Sequence, residues 1–291
     1  RSRGLGDVYK RQPPQRRRLD AELVRRKIAR SREQAVDMIK AGRVTVGGFT
    51  ATKPATVVEP EVSIKVEAEE GDDWASRGAH KLLGALDAFD VDLKGRRVLD
   101  AGASTGGFTD VCLRKGAAEV LSVDVGYGQL LWRLQNDERV TVLDRTNIRN
   151  LTLEQTDGPC DAMVGDLSFI SLKLVLPAIV ECMSEGAWLL PMVKPQFEVG
   201  KDRIGSGGVV RSPELRAEVT KDVALFAQSL GLSVHGVAAS PLPGPSGNVE
   251  YFLWLVKDGM STSEDKLDAM IDTAIKLSLI HISEPTRPLY I

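Results

Sequence analysis

Two stretches near the start of the chain carry apolar residues at helical spacing, first at Leu19, Leu23, Val24 and Ile28 and then at Ala35, Met38 and Ile39. Asp20 is a candidate N-cap of the first helix, and Ser31 with Gln34 three residues later predicts a capping box for the second. Gly42 predicts where the second helix ends. Short apolar runs around a turn at residues 47–48 follow. The pattern predicts two helices and then a small β unit.

Beyond about Ser76 the pattern changes to apolar β runs that alternate with helical stretches. The runs cover residues 97–100, 120–124, 140–143, 162–166, 188–193 and 249–256. Strands that alternate with helices predict an α/β fold with a mostly parallel sheet covered on both faces. An acidic, polar segment separates the two patterns. We therefore predict a first domain over residues 16–70, a linker over 71–76 and a second domain over 77–277.

Positive charge is concentrated in the first domain. The whole chain has a net charge of −2, but residues 16–43 contain ten basic and four acidic residues. One interpretation is a solvated helix face with ion pairs one turn apart. The excess of positive charge favours contact with nucleic-acid phosphates instead. The candidate RNA-binding residues are Arg16, Arg17, Arg18, Arg25, Arg26, Arg30, Arg32 and Lys40.

Composition argues against several classes of protein. A hydrophobic content of 43% and a charged content of 27% are typical of a soluble globular protein. The three cysteines are widely spaced and form no C-x-x-C pair, so we expect neither a disulfide framework nor a metal site. No apolar run approaches the ~20 residues that a helix needs to cross a bilayer. We therefore expect a cytoplasmic protein with no membrane partner.

Both ends of the chain fit no periodicity with their neighbours. Residues 1–12 and 278–291 resemble translated sequencing-adapter sequence. We therefore expect residues 1–15 and 278–291 to be non-native or disordered and to lie outside the fold.

A loop of small residues follows the first strand of the second domain and precedes a predicted helix at residues 109–115. Small residues let a ligand approach the backbone, and the start of a helix offers free N–H groups. Asp124 ends the second strand about twenty residues later, where a carboxylate suits ribose hydroxyls. The candidate cofactor-binding residues are Gly102, Ser104, Thr105, Gly106, Gly107, Asp124 and Asp166.

Two cofactor classes fit this loop. A dinucleotide fingerprint wants glycine where Ser104 stands, and a pyrophosphate gains nothing from Asp100 beside it. S-adenosylmethionine (SAM) carries a sulfonium and an ammonium, which suit an acidic neighbour. The loop favours the methyl donor, while a dinucleotide and a purely structural glycine turn stay open.

Four charged residues stand at strand ends or beside the first helix of the second domain: Lys81, Asp166, Lys194 and Glu250. In a parallel sheet Asp166 and Lys194 share one rim. Glu250 reaches that rim only if the last strand runs antiparallel. A ribose 2′-hydroxyl reacts poorly until its proton is removed or polarised, and Lys194 is the candidate for that task. Whether it acts as a base or as a steering donor stays open at this point.

The chain resembles the TlyA family, also called hemolysin A, of bacterial ribosomal RNA (rRNA) 2′-O-methyltransferases. The resemblance covers residues 16–276 and rests on residues 76–82, 99–109, 124–130, 166–172, 193–200 and 240–255. It implies a Rossmann-like class I methyltransferase sheet preceded by a small S4-like α+β RNA-binding domain.

The resemblance also implies roles for single residues. Lys81, Asp166, Lys194 and Glu250 match the catalytic Lys-Asp-Lys-Glu tetrad of the family, and five loop and strand-end positions match its SAM site: Gly102, Ser104, Gly106, Gly107 and Asp124. The family methylates cytidine 2′-hydroxyls in small- and large-subunit rRNA. We therefore expect SAM as cofactor, rRNA in one or both subunits as partner, and a monomer. One departure is the linker at residues 72–75, Asp-Asp-Trp-Ala, which reads Arg-Ala-Trp-Val in mycobacterial members.

Three other functions are alternatives. The protein could be an RNA-binding module with an inactive methyltransferase domain, but no member of the tetrad is missing. It could be membrane-lytic, as the hemolysin name suggests, but no hydrophobic span or long amphipathic helix supports this. A nicotinamide-dependent reductase is a poor match to the loop.

Overall fold

A computed structural model describes residues 16–26, 28–29, 31–66, 73–244 and 246–283. The chain divides into two compact units, Arg1–Asp73 and Trp74–Ile291. The division falls inside the segment predicted as a linker, of which residues 71 and 72 lie outside the described residues. Each unit is described by itself below.

The first unit contains two helices and five short strands. In chain order these are β1 (Arg17–Arg18), α1 (Leu19–Arg25), α2 (Arg32–Lys40), β2 (Val44–Val46), β3 (Phe49–Thr50), β4 (Val57–Val58) and β5 (Ile64–Val66). Strand β2 lies between β3 and β5 in an antiparallel sheet, and β1 pairs with β4. The two apolar stripes predicted from sequence meet in the core of this unit, which includes Leu19, Leu23, Ala35 and Ile39.

The ends of the two helices only partly match the predictions. Ser31 Oγ accepts a hydrogen bond from the Gln34 N–H at 3.1 Å, and Gly42 follows α2 with a left-handed φ of 72°. The prediction that Asp20 caps α1 is wrong, because that helix begins one residue earlier, at Leu19. The N–H of Leu19 donates to the Thr56 carbonyl at 2.7 Å, so a backbone oxygen replaces a side-chain cap.

Among the described residues of the second unit, nine helices and strands come first, mostly in alternation. They are α3 (Gly78–Phe89), β6 (Arg97–Ala101), α4 (Gly107–Arg114), β7 (Glu119–Val123), α5 (Trp132–Gln135), β8 (Val140–Leu143), β9 (Cys160–Gly165), α6 (Leu176–Glu181) and β10 (Met183–Val193). The remaining elements are α7 (Pro195–Glu198), α8 (Pro213–Ser229), β11 (Leu232–Ala239), β12 (Tyr251–Lys257) and α9 (Glu264–Ser283).

The strands of this unit form one seven-stranded sheet in the order β11-β12-β10-β9-β6-β7-β8. Strands β10, β9, β6, β7 and β8 are parallel, whereas β12 is antiparallel to both of its neighbours. The predicted mostly parallel sheet is therefore confirmed. Strand β11 escaped prediction because its apolar pattern is broken at His235, where a bulge shifts the register.

Both faces of the sheet are covered by helices. Leu176, Val223 and Leu267 bring α6, α8 and α9 onto one face. Leu82 and Phe108 bring α3 and α4 onto the other. The three cysteines are buried and carry free thiols. Two packed faces hold the sheet rigid and leave its rim to carry loops.

The end of the second unit differs from the expected limit at residue 277. Helix α9 continues through Ser278 to Ser283. The buried Ser278 Oγ donates to the Ile275 carbonyl at 2.6 Å and lies 3.2 Å from the Tyr251 hydroxyl. Residue 278 therefore belongs to the packed structure. Residues 1–15 and 284–291 lie outside the described residues.

Candidate active site

The topology brings the four predicted residues to one rim of the sheet. Asp166 directly follows β9, and Lys194 directly follows the parallel strand β10. Glu250 directly precedes β12, which runs the opposite way, so the start of β12 lies at the same rim. Lys81 comes from the first turns of α3. The antiparallel direction that Glu250 required is therefore present.

The four side chains form a continuous chain of ion pairs. Lys194 Nζ lies 2.5 Å from Asp166 Oδ1, and Lys81 Nζ lies 3.8 Å from Asp166 Oδ2. Lys81 Nζ also donates to Glu250 Oε2 at 2.5 Å. Lys81, Lys194 and Glu250 are buried, and Asp166 is partly exposed. Two positive and two negative charges thus balance one another where water is scarce.

Two neighbours of this tetrad were not predicted from sequence. Ser168 Oγ accepts a hydrogen bond from Lys194 Nζ at 2.8 Å, which fixes the second side of that ammonium. A Cβ on Gly244 would lie 2.5 Å from Glu250 Oε1, so the absence of a side chain there lets the carboxylate fit. The Asp-Leu-Ser run at residues 166–168 was the sequence signal for Ser168, but a serine after a strand has many other roles.

The predicted cofactor loop has the backbone that its composition suggested. Gly102, Ser104 and Gly106 all adopt positive φ values, of 87°, 48° and 97°. A Cβ on Gly102 would come within 3.0 Å of the Asp166 carbonyl oxygen, so the loop presses against the chain that carries the tetrad aspartate. Helix α4 then begins at Gly107, two residues earlier than predicted.

Asp124 holds this loop in place. Its carboxylate accepts hydrogen bonds from the Ser104 N–H at 2.8 Å and from the Gly126 N–H at 2.7 Å. The side chain therefore joins the loop after β6 to the segment after β7. Each carboxylate oxygen keeps lone-pair capacity for a further donor, such as a ribose hydroxyl.

Asp100 lies behind the loop and does not face it. The side chain is fully buried and accepts a hydrogen bond from Thr109 Oγ1 at 2.6 Å. Burial raises the pKa of Asp100 to about 7, against the opposing effect of the Thr109 hydrogen bond. The acidic neighbour that the sequence suggested for a cationic ligand is therefore not Asp100. Asp166 takes that place, because it lines the cavity.

A cavity of about 650 Å³ joins the tetrad to the loop. Its lining includes Lys81, Asp166 and Lys194 together with Gly102, Ser104 and Thr105. The volume suits a ligand of the size of a nucleoside. An acidic wall, the start of α4 and a glycine backbone that no Cβ obstructs fit the charge pattern of SAM.

Comparison with known proteins supports the same assignment. Residues 74–257 match the model of the FtsJ-like methyltransferase family, and residues 17–64 match the S4 domain. The chain is 60% identical over 240 residues to the 16S/23S rRNA (cytidine-2′-O)-methyltransferase TlyA of Mycobacterium tuberculosis, covering 82% of this chain and 90% of that protein. The chain belongs to the TlyA family of FtsJ-like methyltransferases.

Two further relatives agree with this membership of the TlyA family. YqxC of Bacillus subtilis, provisionally named as an rRNA methyltransferase, is 38% identical over 265 residues, covering 89% of this chain and 94% of that protein. A solved structure from Streptococcus thermophilus, provisionally described as a hemolysin, superposes with a TM-score of 0.71 at 34% identity, covering 93% of this chain and 99% of that one. The Rossmann-like methyltransferase fold and the S4 domain expected for a TlyA protein are thereby confirmed.

Exposed aromatic residues surround the rim in this TlyA protein and were missed from sequence. Phe169 is 91% exposed although it lies three residues after Asp166, and its φ of 63° is unusual for a bulky residue. Its ring lies 5.2 Å from that of Phe197, which follows Lys194. Tyr127 is also exposed, with the Arg145 guanidinium 4.2 Å from its ring.

The predicted RNA-binding residues of the S4 unit fall into two groups. Arg16, Arg17, Arg18, Arg25, Arg32 and Lys40 are exposed. Arg26 is only 22% exposed, because its guanidinium donates to the Pro60 and Val62 carbonyls. The structure therefore assigns Arg26 to the fold of the unit rather than to its free surface. Arg30 lies outside the described residues.

Acidic partners take up some of the arginines in this positive region. The buried Asp20 pairs with Arg18 at 2.8 Å, and the buried Glu22 pairs with Arg25 at 2.7 Å and with Arg26 at 2.8 Å. Both carboxylates belong to the four acidic residues already set against the ten basic ones along residues 16–43. These ion pairs therefore leave the excess of positive charge unchanged.

Two observations bear on the alternative functions. No described helix combines the length and the apolar character that a membrane-crossing segment needs. Among the described side chains, His, Cys, Asp and Glu residues form no group suited to hold a metal ion.

Proposed function

We propose that this protein transfers the methyl group of SAM to the 2′-hydroxyl of a cytidine in 16S rRNA, 23S rRNA or both. The observation that carries the proposal is the ion-paired tetrad Lys81, Asp166, Lys194 and Glu250, of which the first three line one cavity together with the glycine loop. We further propose that it acts as a monomer in the cytoplasm, where ribosomal subunits are assembled.

The proposed SAM site lies along the loop of residues 102–107. Gly102, Ser104, Thr105, Gly106 and Gly107 would hold the cofactor by their backbone, and Asp124 would bind its ribose. When bound, SAM supplies an electrophilic methyl group on a sulfonium. The Asp166 carboxylate lines the same cavity and would be the acidic group nearest to the cationic cofactor.

We assign Lys194 to the ribose hydroxyl. Its ammonium is held by Asp166 on one side and by Ser168 on the other, so its direction is fixed before substrate arrives. A fixed group can hold the hydroxyl in line with the methyl group, which supplies a large part of the rate in such transfers. The hydroxyl loses its proton as its oxygen gains the methyl group. Lys194 can receive that proton only as the neutral amine; as an ammonium it orients the hydroxyl oxygen while the proton passes to water.

Lys81 and Glu250 form the supporting half of the tetrad. Lys81 bridges Glu250 and Asp166, so it fixes the carboxylate that in turn orients Lys194. Because Lys81 and Glu250 are buried, removing Lys81 would leave the Glu250 carboxylate without its ion-pair partner. We therefore propose that Lys81 and Glu250 act mainly by orienting Asp166.

The S4 unit and the exposed aromatics are the proposed RNA contacts. Exposed arginines, including Arg16, Arg18 and Arg25, offer contacts to phosphates. Phe169 and Tyr127 offer faces on which unstacked bases can stack, which is how proteins commonly hold single-stranded RNA. An unpaired target nucleotide is also what a 2′-hydroxyl needs in order to enter the cavity.

The test is methyl transfer from labelled SAM to purified ribosomal subunits by the Lys194→Met variant. We expect a loss of roughly 10²–10⁴-fold, the usual range for a proton-transfer group, with little change in SAM binding. Lys266→Met, on α9, is the matched control and should keep full activity. Transfer by Lys194→Met at the wild-type rate would refute the assignment.

A further inference from the structure

A partly buried carboxylate outside the tetrad lies at the end of α7, four residues after Lys194. It belongs to Glu198, and burial raises its pKa above the ordinary glutamate value, although its hydrogen bonds act in the opposite direction. Lys173 and Asp222 are the charged groups that influence it most. Glu198 takes no part in the chemistry proposed above, so its burial needs another reason.

Both oxygens of Glu198 bind the segment that follows β9. Ser171 Oγ donates to Oε2 at 2.6 Å, and the Leu172 N–H donates to Oε1 at 2.8 Å. Asp166 and Leu172 are the two ends of that segment. The carboxylate therefore joins the loop that begins with Asp166 to the short helix that begins after Lys194.

Two further contacts join the same pair of segments. Lys194 Nζ donates to Ser168 Oγ at 2.8 Å, and the rings of Phe169 and Phe197 lie 5.2 Å apart. The Asp166–Lys194 ion pair, at 2.5 Å, stands where the two segments leave the sheet. Glu198 joins the two segments at their far end, so the residues between are held in place at both ends of the segments.

We propose that Glu198 is a positioning residue for methyl transfer, which fastens the Asp166 loop to the Lys194 segment and so fixes the distance between those two side chains. This inference rests on the proposed function. It predicts that the Ser171 and Leu172 bonds affect the rate of the transfer step more than they affect folding or cofactor binding.

The physical reason is the precision that in-line transfer requires. A displacement of about 1 Å in a reacting group can cost up to roughly 10²-fold in rate. The backbone of Phe169 is a second reason why the two segments must be joined. Its left-handed conformation is unfavourable in free energy and persists only where the surrounding residues hold it. Without the Glu198 bonds, the Leu172 N–H loses its partner and the loop can relax away from Lys194.

The experiment uses the full chain with ribosomal subunits and labelled SAM. Glu198→Gln is nearly the same size but replaces one acceptor oxygen with a donor. Ser171→Ala removes the bond to Glu198 together with the bond that Ser171 Oγ accepts from the Lys173 N–H at 3.2 Å. Glu181→Gln, on the exposed end of α6, is the matched control. For each variant the measurements are kcat, KM for the subunit, SAM affinity by calorimetry, and the midpoint of thermal unfolding.

We expect Glu198→Gln to lower kcat by between about 10- and 100-fold. SAM affinity, KM for the subunit and the unfolding midpoint should stay close to the wild-type values. Ser171→Ala should cause a smaller loss in the same parameter, and the double variant should lose less than the product of the two, because both changes break one contact. Glu181→Gln should match the wild type.

Two results would overturn the inference. Wild-type kcat in Glu198→Gln and in Ser171→Ala would show that the fastening does not matter for transfer. A loss that follows the unfolding midpoint or SAM affinity would show that Glu198 is only structural. If the wild-type protein itself transfers no methyl group to either subunit, the proposed function fails instead, and the two failures are thereby distinguished.

Discussion

Asp100 illustrates how a residue can lie beside a site without facing it. The carboxylate binds Thr109 Oγ1, which also lies 2.8 Å from Ser122 Oγ, and its second oxygen has no hydrogen-bond partner among the described residues. Burial without full pairing is the reason that its pKa is raised to about 7. Asp100 therefore supports the start of α4 from within the core. Its burial lowers the free energy of unfolding by an amount that depends on pH.

This pH dependence leads to a prediction for the stability of Asp100→Asn. The native pKa of Asp100 lies above the ordinary value of 3.8, so the native state holds the proton more tightly and the free energy of unfolding falls as pH rises between these two values. Asparagine removes the titration. We expect Asp100→Asn to be more stable than the wild type at pH 8, with the difference shrinking or reversing at pH 5.

Denaturant unfolding of both proteins at the two pH values measures this difference. Asp272→Asn, on the exposed side of α9, is the control and should show no change between them. An Asp100→Asn effect of equal size at pH 5 and pH 8 would contradict the assigned titration.

For single residues, the residue type and its position in the sequence were enough to predict part of the site. Lys81, Asp166, Lys194 and Glu250 were singled out by their joint placement at strand ends and beside a helix, because the rim of a parallel sheet is a known place for ligands, and by the resemblance to the family's tetrad. Ser168, Phe169 and Glu198 could not be found, because their roles depend on which segments meet across the rim. That meeting is a property of the folded chain.

At the scale of single elements, α1 shows that neighbouring arginines of one helix can have different roles, one in folding and one in binding. Arg25 and Arg26 both pair with the buried Glu22, yet Arg25 projects into solvent while Arg26 reaches the Pro60 and Val62 carbonyls. Sequence spacing gave both residues the same expected role. The difference arises from the β4–β5 connection, which packs against only one side of the helix.

The adjacent pair provides a matched test of that division. Arg25→Gln should weaken binding to ribosomal subunits and reduce the salt dependence of the affinity by about one phosphate contact. Arg26→Gln should mainly lower the free energy of unfolding, by about 1–3 kcal/mol for the carbonyls it leaves unpaired. Binding isotherms over a salt series and denaturant unfolding separate the two. Equal effects of both variants in both measurements would contradict the division.

Elements were predictable where their apolar pattern was long and regular. The two stripes of the first unit and the buried parallel strands of the second were identified. The antiparallel direction of β12 was only the condition under which Glu250 would reach the rim. Strand β11 was missed because His235 and Gly236 interrupt its pattern, and β1 and β3 because two residues are too short to show one. The continuation of α9 through Ser278 was missed because the tail was set aside on its composition.

At the scale of the whole molecule, the sequence was informative about architecture and about reaction class. A compact basic unit precedes a larger α/β unit, and membership of the TlyA family agrees with the tetrad and the glycine loop that the second unit holds together. The identity of the nucleotide depends on how ribosomal RNA meets both units. Neither the sequence pattern nor the geometry of one chain specifies that complex.

The central claim is that the rim cavity methylates a ribose oxygen. Ribosomal subunits from cells lacking the enzyme, treated with SAM and either the wild type or Lys194→Met, can be digested to nucleosides and mapped by mass spectrometry. We predict new 2′-O-methylcytidine at a discrete rRNA position with the wild type, and none with the variant. A methyl group on a base, or equal ribose methylation by both proteins, would contradict the account.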